Sequence, residues 1–536
     1  MNTFLLHHFL RRTAASSPEK KAVVFMDRSV TYGDLEKQSN QLASALSRFG
    51  LKKGDRVGLI FKKSLDSIIA LFAVLKAGAS YVPLDPLSPV SRINFIINNC
   101  EMKCLIASPE EAKKVISNFD SDSPLRTILV SGKPTREIKE YQSNVELIPW
   151  GEIFKTESAD YPDSALTDTY PAYILFTSGS TGLPKGVAIS HLNALTFVNM
   201  AADFFEIKST DRLGGHAPLH FDLSVFDIYV ALKSGATVVL IPEYLSAFPL
   251  RLAEYIDEKQ ISVWNSVPSV LVLLAERGKL ERFQFDSLRL VLFAGEIFPV
   301  KYLRKLKTLV PRAQYFNVYG QTEANSSMFF KIDQIPDNDT WKIPIGKPFP
   351  NFDVFALDEN SEIIDTPGKE GELFIRASSV AMGYWRDEEK TKMSFVPDPF
   401  QHFSSNRVYR TGDIVRLDDD GNYIFIGRKD NMIKSRGYRI EPDEIELSLF
   451  SYPGIKQAAI VTIPDDVIGN RIIAYVSGSE GKEIEVKKIL EHCHKKLPAY
   501  MIPEKVVVRD RLPTTSTGKI DKKHLAKEAL SKFAQE

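Results

Sequence analysis

The hydrophobic positions between residues 56 and 107 fall into short continuous runs separated by amphipathic stretches. RVGLIF (56–61) and SYVPLD (80–85) have the length and apolar character of buried strands, and the run between them at 64–78 predicts a helix. The same alternation returns at 236–296. Buried strands that alternate with helices are typical of parallel sheets covered by helices. The pattern therefore predicts an α/β fold with two parallel-type sheets.

Residues 108–170 separate these two blocks and differ from them in composition. The segment is polar and contains clusters of proline, serine and aspartate, which favour turns and loops over regular elements. We therefore expect variable connections here instead of further strands.

The chain beyond about residue 345 follows a third pattern. FDVFALDENSEII and YRTGDIVRLDDDGNYIFIGR are runs in which apolar and polar residues alternate, joined by turns such as Asp420-Gly421. Alternation with a period of two, punctuated by such turns, is typical of antiparallel strands. The pattern predicts a barrel-like β segment attached to the two sheets.

The last hundred residues predict a separate, smaller α+β unit. Helical patterns at 443–450 and 485–497 are interspersed with strands such as RIIAYVSG. The charged segment RKDNMIKSRG at 428–437 precedes this unit and is a candidate hinge. We therefore expect a large N-terminal domain over residues 1–429 and a small, mobile C-terminal domain over residues 430–536.

Composition and charge exclude several classes of protein. The 536 residues include 68 basic and 68 acidic side chains, so no global field draws the chain to nucleic acid or to an anionic membrane. The most apolar stretch, at 67–84, is interrupted by Lys76 and Gly78 and falls short of a membrane span. Only three cysteines occur, and the N-terminus lacks a signal-peptide pattern. We expect a cytoplasmic protein with neither a nucleic-acid nor a membrane partner.

A loop rich in glycines and hydroxyl groups follows the apolar run at 173–176. Thr177-Ser-Gly-Ser-Thr-Gly182 is followed by Pro184-Lys185-Gly186, and this combination is suited to hold phosphate. It is not a P-loop, because counting from Gly179 places Pro184 where the second glycine is required. From these residues alone, a phosphate-binding loop and a surface turn are equally open.

Eight segments together resemble the adenylate-forming superfamily of acyl- and aminoacyl-AMP ligases, and most closely the free-standing amino-acid adenylation enzymes of nonribosomal peptide synthesis. The resemblance covers nearly the whole chain, and the eight segments occur in the order and spacing of that family. They are VTYGDLEKQSNQLASAL (30–46), KAGASYVPLDP (76–86), the glycine-rich loop (177–186), HFDLSVFD (220–227), NVYGQTE (317–323), YRTGDIVR (409–416), GRKDNMIKSRGYRIEPDEIE (427–446) and PTTSTGKIDKK (513–523).

The resemblance implies that ATP and Mg²⁺ bind, with residue roles that transfer where the motifs match. Glu323 would hold Mg²⁺, a hard cation that prefers carboxylate oxygen, and Thr322 would contact the α-phosphate. Asp413 would bind the ribose hydroxyls beside Arg428. The loop over the β- and γ-phosphates would comprise Thr177, Ser178, Gly179, Ser180, Thr181, Gly182 and Lys185. The adenine would be surrounded by Gly295, Glu296, Asn317, Tyr319 and Gly320.

The resemblance also implies two half-reactions that use opposite parts of the small domain. Lys519 would bridge the substrate carboxylate and the α-phosphate, where negative charge accumulates during adenylation. The small domain would then rotate about Asp430, withdraw Lys519 and present Lys434 and Gly437 to a phosphopantetheine arm. Only 17 residues follow Lys519, so we expect the acceptor to be a separate carrier protein.

Asp222 distinguishes between subclasses of the superfamily. In amino-acid-activating members an acidic residue here pairs with the α-ammonium of the substrate, and an unpaired buried carboxylate would be costly. The structural alternative is an N-cap for the helix that begins at Leu223. His220 would flank the site, and the remaining substrate-binding candidates are Phe221, Leu223, Phe226, Ser266, Leu292, Ala294, Val318, Ser326 and Ser327.

This lining favours a small neutral amino acid over a charged one. The Asp-Leu-Phe…Leu-x-Ala pattern is similar to that of prolyl-carrier-protein ligases, so L-proline is our first expectation; alanine of either hand, serine and valine stay open. Departures from the family lie near the pocket. Gln321 stands where proline is commonest, Ala324-Asn325-Ser326 follow where threonines are usual, and Asp227 stands where glutamate is frequent.

Three other functions are compatible with parts of the sequence. An acyl- or aryl-CoA ligase would use the same scaffold, but Asp222 argues against it. A non-catalytic nucleotide-binding module is disfavoured because Lys519, Glu323 and Asp413 are all retained. A kinase-like phosphotransferase is disfavoured by the mismatch to the P-loop pattern. An aminoacyl-AMP ligase that charges a carrier protein, within secondary-metabolite biosynthesis, is the interpretation that uses every motif.

Overall fold

A computed structural model describes the chain over residues 3–118, 122–132, 145–161, 165–179, 182–401, 406–430, 432–478, 484–514 and 520–533. Within these ranges the large domain contains two sheets with parallel centres. The prediction of two parallel-type sheets is confirmed, with antiparallel strands added at their edges.

The larger sheet joins nine of the described strands. Its six central strands run parallel, from Gln314–Gln321 across to Lys21–Phe25, and the strands outside them are antiparallel. In spatial order the strands are Lys347–Pro348, Asn325–Lys331, Gln314–Gln321, Leu290–Ala294, Val263–Ser266, Arg212–Gly215, Thr237–Leu240, Lys21–Phe25 and Arg28–Thr31.

The second sheet joins eight strands of the part of the chain that the structure describes. Six run parallel, and the strands that begin at Lys185 and Gly383 are antiparallel. In spatial order they are Gly383–Tyr384, Lys185–Ser190, Pro171–Thr177, Ser80–Leu84, Arg56–Ile60, Cys104–Ala107, Thr127–Val130 and Glu146–Pro149.

Two strands of this second sheet correct the expectation of variable connections over residues 108–170. Thr127–Val130 and Glu146–Pro149 extend the parallel sheet, and helices Pro109–Ile116 and Trp150–Thr156 accompany them. The strands are only four residues long and lie between polar segments, so their apolar runs were outweighed by the surrounding composition. Thr127–Val130 is nevertheless fully buried, as expected for a strand with neighbours on both sides.

Helices packed against both sheets build the main hydrophobic core. The helix Leu65–Lys76 has every side chain buried except that of Asp66, and Ser64 caps its N-terminus by accepting from the N–H of Ser67. The other helices of the large domain are His8–Ser16, Tyr32–Arg48, Val90–Asn99, His191–Phe204, Leu223–Val225 continuing through Phe226–Val230 and Ala231–Lys233, Pro249–Glu258, Pro268–Arg277, Val300–Leu309 and Glu388–Ser394, with single turns at Glu243–Ala247 and Leu280–Arg282.

The barrel-like segment that the sequence predicts is an antiparallel sheet of five described strands. Its longest strand, Arg407–Leu417, pairs with three others and runs toward the start of the small domain. The strands are Asp353–Leu357, Glu370–Arg376, Arg407–Leu417, Phe395–Pro397 and Tyr423–Arg428.

The small α+β unit has a three-stranded sheet with two apolar faces. Alternate residues pack in opposite directions: Ile460 and Ile472 lie in one cluster, and Val461 and Ile473 lie in another. The strands are Ile455–Asp465, Gly469–Gly478 and Lys505–Arg509; the helices are Pro442–Phe450, Val486–Lys496, Ala499–Met501 and Lys522–Phe533; and the hairpin strands are Ile433–Ser435 and Tyr438–Ile440.

Among the described residues, no helix combines the length and apolar character needed to cross a bilayer.

Candidate active site

A cavity lies where strands of both large sheets end and the small domain covers them. Ala294 and Val318 come from adjacent parallel strands of the nine-stranded sheet, and Phe176 comes from the eight-stranded sheet. Tyr438 and Tyr500 of the small domain close another side. The carboxyl ends of parallel strands meet at one edge of a sheet, which brings together side chains distant in sequence.

Asp222 lines this cavity, and its carboxylate does not serve as a helix cap. Its Oδ2 accepts from Thr322 Oγ1 at 2.9 Å, and the side chain makes no capping bond to the helix that begins at Leu223. Burial raises the pKa of Asp222 above its ordinary value, and the hydroxyl of Thr322 only partly offsets this effect. The site is therefore arranged to gain from a cationic partner.

The apolar wall contains the five residues that the sequence predicts, together with three more. Leu223, Phe226, Leu292, Ala294 and Val318 all line the cavity, as do Phe197, Phe205 and Phe349. The ring centroid of Phe205 lies 6.0 Å from that of Phe226 and 5.8 Å from that of Phe349. Phe197, Phe205 and Phe349 come from segments without a family motif, so no signal in the sequence placed them together.

Two predicted pocket residues do not reach the cavity, which corrects the predicted lining. The hydroxyl of Ser266 accepts from Trp264 Nε1 at 2.9 Å, and that of Ser327 donates to the carbonyl of Asn325 at 3.1 Å. Both side chains are buried and have their hydrogen bonds inside the protein. Ser326, the neighbour of Ser327, does line the cavity.

Asn265 occupies the position in the wall that Ser266 was predicted to fill. Its Nδ2 donates to Asp227 Oδ1 at 3.2 Å behind the cavity wall. Burial raises the pKa of Asp227 to about 8, so this carboxyl is largely protonated at neutral pH. Asp227 thus holds an amide of the cavity wall in place.

Asp413 lies at the centre of a buried hydrogen-bond network. Tyr319 and Arg428 both donate to its carboxylate, and Gln321 Nε2 donates to Oδ2 at 2.7 Å. Gln321, which stands where the family most often has proline, therefore orients Asp413 and accepts a hydrogen bond from Tyr409. Arg428 also pairs with Asp430, the predicted hinge residue, through its Nε at 2.6 Å.

The residues predicted to surround the adenine do not all lie at the cavity. Gly295 and Gly320 line the cavity, and Asn317 Nδ2 donates to the carbonyl of Pro344 at 2.8 Å. The carboxylate of Glu296 faces the small domain, where its Oε1 accepts from the N–H of Gly437 at 2.6 Å. The structure therefore places Glu296 at the boundary between the two domains.

Glu323 is fully buried and surrounded by donors. Its Oε1 accepts from Tyr384 at 2.8 Å, lies 3.2 Å from Lys185 Nζ and accepts from Arg439 NH1 at 3.1 Å. Burial opposes ionisation, yet Arg439 and Lys185 hold the pKa of Glu323 well below its ordinary value. Burial, followed by the charge of Arg439, lowers the pKa of Lys185 to about 8.

The carboxylate of Glu323 fits Mg²⁺ only together with ligands from outside the protein. The described residues contain no group of three or more metal-ligating side chains. Mg²⁺ commonly binds one or two carboxylates and completes its shell with substrate phosphates and waters. Thr177 offers a hydroxyl to such a phosphate, because its Oγ1 is buried without a partner among the described residues and the residue lines the cavity.

The glycine-rich loop is described at Ser178, Gly179 and Gly182, whereas Ser180 and Thr181 lie outside the described residues. Gly182 has a φ of +76°, and the small domain contacts this side of the loop: a Cβ at Gly182 would lie 2.5 Å from Leu447 Cδ1. Position 182 therefore requires glycine for its conformation and for its close approach to the small domain.

The hairpin of the small domain enters the cavity. Lys434 and Gly437 both line it, and burial lowers the pKa of Lys434. Tyr438 stacks on Tyr500 with centroids 3.7 Å apart and meets the ring of Phe221 edge-on at 4.8 Å. His220 lines the cavity beside these rings, and its Nε2 has no partner among the described residues.

The predicted catalytic lysine, Lys519, lies outside the described residues, but Thr514 and Ile520 on either side of it are described. They pair as an isolated bridge. Ile520 packs in the cluster on one face of the three-stranded sheet, whereas Ile433 and Tyr438 of the hairpin pack in the cluster on the other. Ile520 and the hairpin thus belong to opposite faces of the small domain.

The sequence matches two family descriptions over most of its length. Residues 10–385 match the AMP-binding enzyme family, and residues 444–519 match the AMP-binding enzyme C-terminal domain. The chain belongs to the AMP-binding enzyme family. It is a ligase of this family, and the resemblance inferred from the eight motifs is confirmed.

Two similar proteins span nearly the same length. The L-proline–[L-prolyl-carrier protein] ligase of Pseudomonas fluorescens strain Pf-5 is 34% identical, over 98% of this chain and 99% of its own. The ligase of the same name from Streptomyces coelicolor is 35% identical, over 97% of this chain and 96% of its own. This AMP-binding enzyme is therefore aligned with both relatives from end to end.

Solved structures confirm the fold. The crystal structure of IdnL1 is 30% identical and superposes with a TM-score of 0.79, over 95% of this chain and 98% of that one. The Vibrio cholerae adenylation domain AlmE, solved with glycyl-adenosine-5'-phosphate, is 24% identical and superposes with a TM-score of 0.84, over 99% of both chains. Because the sequence identity with AlmE is low, this similarity shows the fold alone.

Proposed function

We propose that this enzyme activates a small neutral amino acid, L-proline in the first instance, with ATP. The product is an aminoacyl-AMP, pyrophosphate is released, and the aminoacyl group passes to the phosphopantetheine thiol of a separate carrier protein in secondary-metabolite biosynthesis. The observation that carries the proposal is the buried carboxylate of Asp222, which faces a mainly apolar cavity and gains from a cationic partner.

The amino acid binds with its ammonium group at Asp222 and its side chain against the apolar wall. Phe205, Phe226 and Phe349 restrict that wall to a compact apolar side chain, for which the ring of proline is suited. The names of the two relatives support the choice of L-proline. D-alanine, L-alanine, serine and valine are the competing substrates.

The nucleotide binds with its ribose at Asp413 and its phosphates along the loop that starts at Thr177. Tyr319, Gln321 and Arg428 hold the Asp413 carboxylate in place before ATP arrives. Glu323 would hold Mg²⁺, which would supply positive charge that offsets the phosphate oxygens. Attack by the amino-acid carboxylate on the α-phosphorus forms the mixed anhydride and expels pyrophosphate.

The division of the chain at Asp430 is part of this proposal. Lys519 stabilises the charge that develops during adenylation, and rotation about Asp430 then brings Lys434 and Gly437 to the cavity for thioester formation. A cytoplasmic location follows from the chemistry, since ATP is available there. The three free cysteines, which are all buried, are compatible with a reducing compartment.

The test is amino-acid-dependent ATP–pyrophosphate exchange, screened over the twenty amino acids and D-alanine. We expect exchange with one or a few small neutral amino acids, L-proline the fastest. Exchange with none of them would contradict the proposal. Release of AMP with CoA and an aryl acid, in the absence of any amino acid, would favour the acyl- or aryl-CoA ligase instead.

A further inference from the structure

The small domain supplies a cation to the carboxylate that is predicted to hold Mg²⁺. Arg439 NH1 donates to both oxygens of Glu323, at 3.1 and 3.4 Å, and all of Glu323 is buried. Arg439 lies on the hairpin strand Tyr438–Ile440, and its NH2 lies 3.6 Å from Glu441 on the same domain. A guanidinium therefore holds the oxygens that a metal ion would use.

The same domain supplies an anion to the loop that is predicted to hold phosphate. Glu444 Oε2 accepts from the N–H of Gly179 at 3.4 Å, and Arg92 of the large domain donates to its other oxygen. The hydroxyl of Ser178 is engaged as well, because it donates to the carbonyl of Arg439 at 2.7 Å. The first turn of the helix Pro442–Phe450 thus presents a carboxylate where phosphate oxygens would bind.

From these two contacts, and on the basis of the proposed function, we infer that Arg439 and Glu444 are internal substitutes for Mg²⁺ and for a phosphate group. Each charge has the sign of the ligand that it replaces, and each lies on the small domain while its partner lies on the large one. The observed pose and a bound magnesium–polyphosphate complex therefore exclude each other.

The exclusion has an electrostatic and a steric component. Mg²⁺ at Glu323 would meet the guanidinium of Arg439, and a phosphate at Gly179 would meet the carboxylate of Glu444 in a buried site, where like charges repel strongly. Leu447 closes the remaining space over Gly182. Magnesium pyrophosphate must consequently leave before Lys434 and Gly437 reach the cavity, and each new MgATP must displace them again.

The inference predicts that removing either substitute strengthens the binding of a pyrophosphate analogue. In the wild type the ligand must first break the internal contacts, which lowers its apparent affinity. We expect Glu444→Gln and Arg439→Gln to bind methylenediphosphonate with Mg²⁺ at least about fivefold more tightly than wild type, measured by calorimetry. Arg439→Lys keeps the positive charge but loses the planar guanidinium, so its affinity for the analogue should lie between those of the wild type and Arg439→Gln.

Asp466→Asn is the matched control, because Asp466 pairs with Lys301 across the same boundary at 2.5 Å but touches neither the loop nor Glu323. The pair is about half exposed and contributes little to the free energy of docking the small domain. The affinity of this variant for the analogue should therefore lie within about twofold of that of the wild type. Equal or weaker binding by both Glu444→Gln and Arg439→Gln would overturn the inference, as would absence of binding to every variant. If one of these two variants fails to fold, the affinities of the other variant and of Arg439→Lys test the inference instead.

The pose itself can be followed by cross-linking across the same pair. Lys301→Cys with Asp466→Cys, joined by a short bismaleimide, should react at least about threefold more slowly when Mg²⁺ and methylenediphosphonate are added. The native cysteines are buried and do not compete. A rate unaffected by the ligand would contradict the inference. Neither measurement uses an amino acid or a carrier, so an error in the proposed substrate would leave both results unchanged.

Discussion

Asp222 is the residue on which the choice of an amino-acid substrate rests. Its carboxylate is hydrogen-bonded to the neutral hydroxyl of Thr322, and burial raises its pKa. A carboxylate in this environment is stabilised when a substrate ammonium arrives, because the opposite charge lowers the cost of ionisation. Amino-acid binding and deprotonation of Asp222 are therefore coupled.

We expect Asp222→Ala to raise the KM for the amino acid at least about tenfold, since a desolvated charge-assisted pair is lost. In the wild type, kcat/KM for the amino acid should increase as pH rises through the pKa of Asp222, because only the ionised form attracts the ammonium. Asp222→Asn should lack this increase. Exchange kinetics between pH 5 and 9 provide the measurement (roughly the range in which a raised carboxyl pKa becomes visible).

Asp398→Ala is the control for general destabilisation, because it removes a buried carboxylate that pairs with Arg376 in the five-stranded sheet. Its KM for the amino acid should stay near that of wild type. An unchanged KM in Asp222→Ala would reject the ammonium pairing.

At the scale of single elements, the hairpin that contains Gly437 is the part of the small domain fitted most closely to the cavity. Gly437 has a φ of +79°, and its N–H donates to Glu296. A Cβ at this position would lie 2.5 Å from Val267 Cγ1. Both the conformation and the contact require glycine when the hairpin is docked.

Gly437→Ala should therefore slow thioester formation on the order of tenfold or more, through strain and a steric clash in the docked pose. Pyrophosphate exchange should be nearly unchanged, because adenylation uses the other pose. The two half-reactions are measured separately, as exchange and as loading of a phosphopantetheinylated carrier. Gly427→Ala is the control, since a Cβ there meets nothing within 4 Å. An equal loss in both half-reactions would refute this assignment of the hairpin.

The sequence predicted the elements whose hydrophobic period was strong. The helix Leu65–Lys76 and the strand Arg56–Ile60 were anticipated within a few residues, because continuous apolar runs bounded by capping residues and turns identify them. The strands Thr127–Val130 and Glu146–Pro149 were missed, since four residues are too few to dominate a polar segment.

The candidate site likewise contains some residues that local sequence motifs predict and others whose positions depend on tertiary contacts. Asp222, Glu323 and Asp413 could be predicted because each lies in a motif whose spacing is specific. Phe205 and Arg439 were not identified, because their places at the cavity depend on helix packing and on the pose of the small domain. Residues whose role depends on contacts between distant segments leave no periodic or spaced signal along the chain.

For the molecule as a whole, the proposed function assigns roles to two parts of the small domain, the hairpin and Lys519. The hairpin residues Ile433 and Tyr438 pack on one face of the three-stranded sheet, and Ile520, the residue after Lys519 in sequence, packs on the other. The observed pose brings the hairpin to the cavity and pairs Arg439 with Glu323. Under the proposed function, the two half-reactions therefore use two poses of the small domain.

We propose that the amine of Lys519, delivered by rotation of the small domain, stabilises the charge that develops at the α-phosphorus. The decisive measurement is pyrophosphate exchange in Lys519→Ala, with MgATP affinity determined in parallel. Exchange should fall at least about a hundredfold while ATP binding is retained. Exchange at the wild-type rate in this variant would show that Lys519 has no such role.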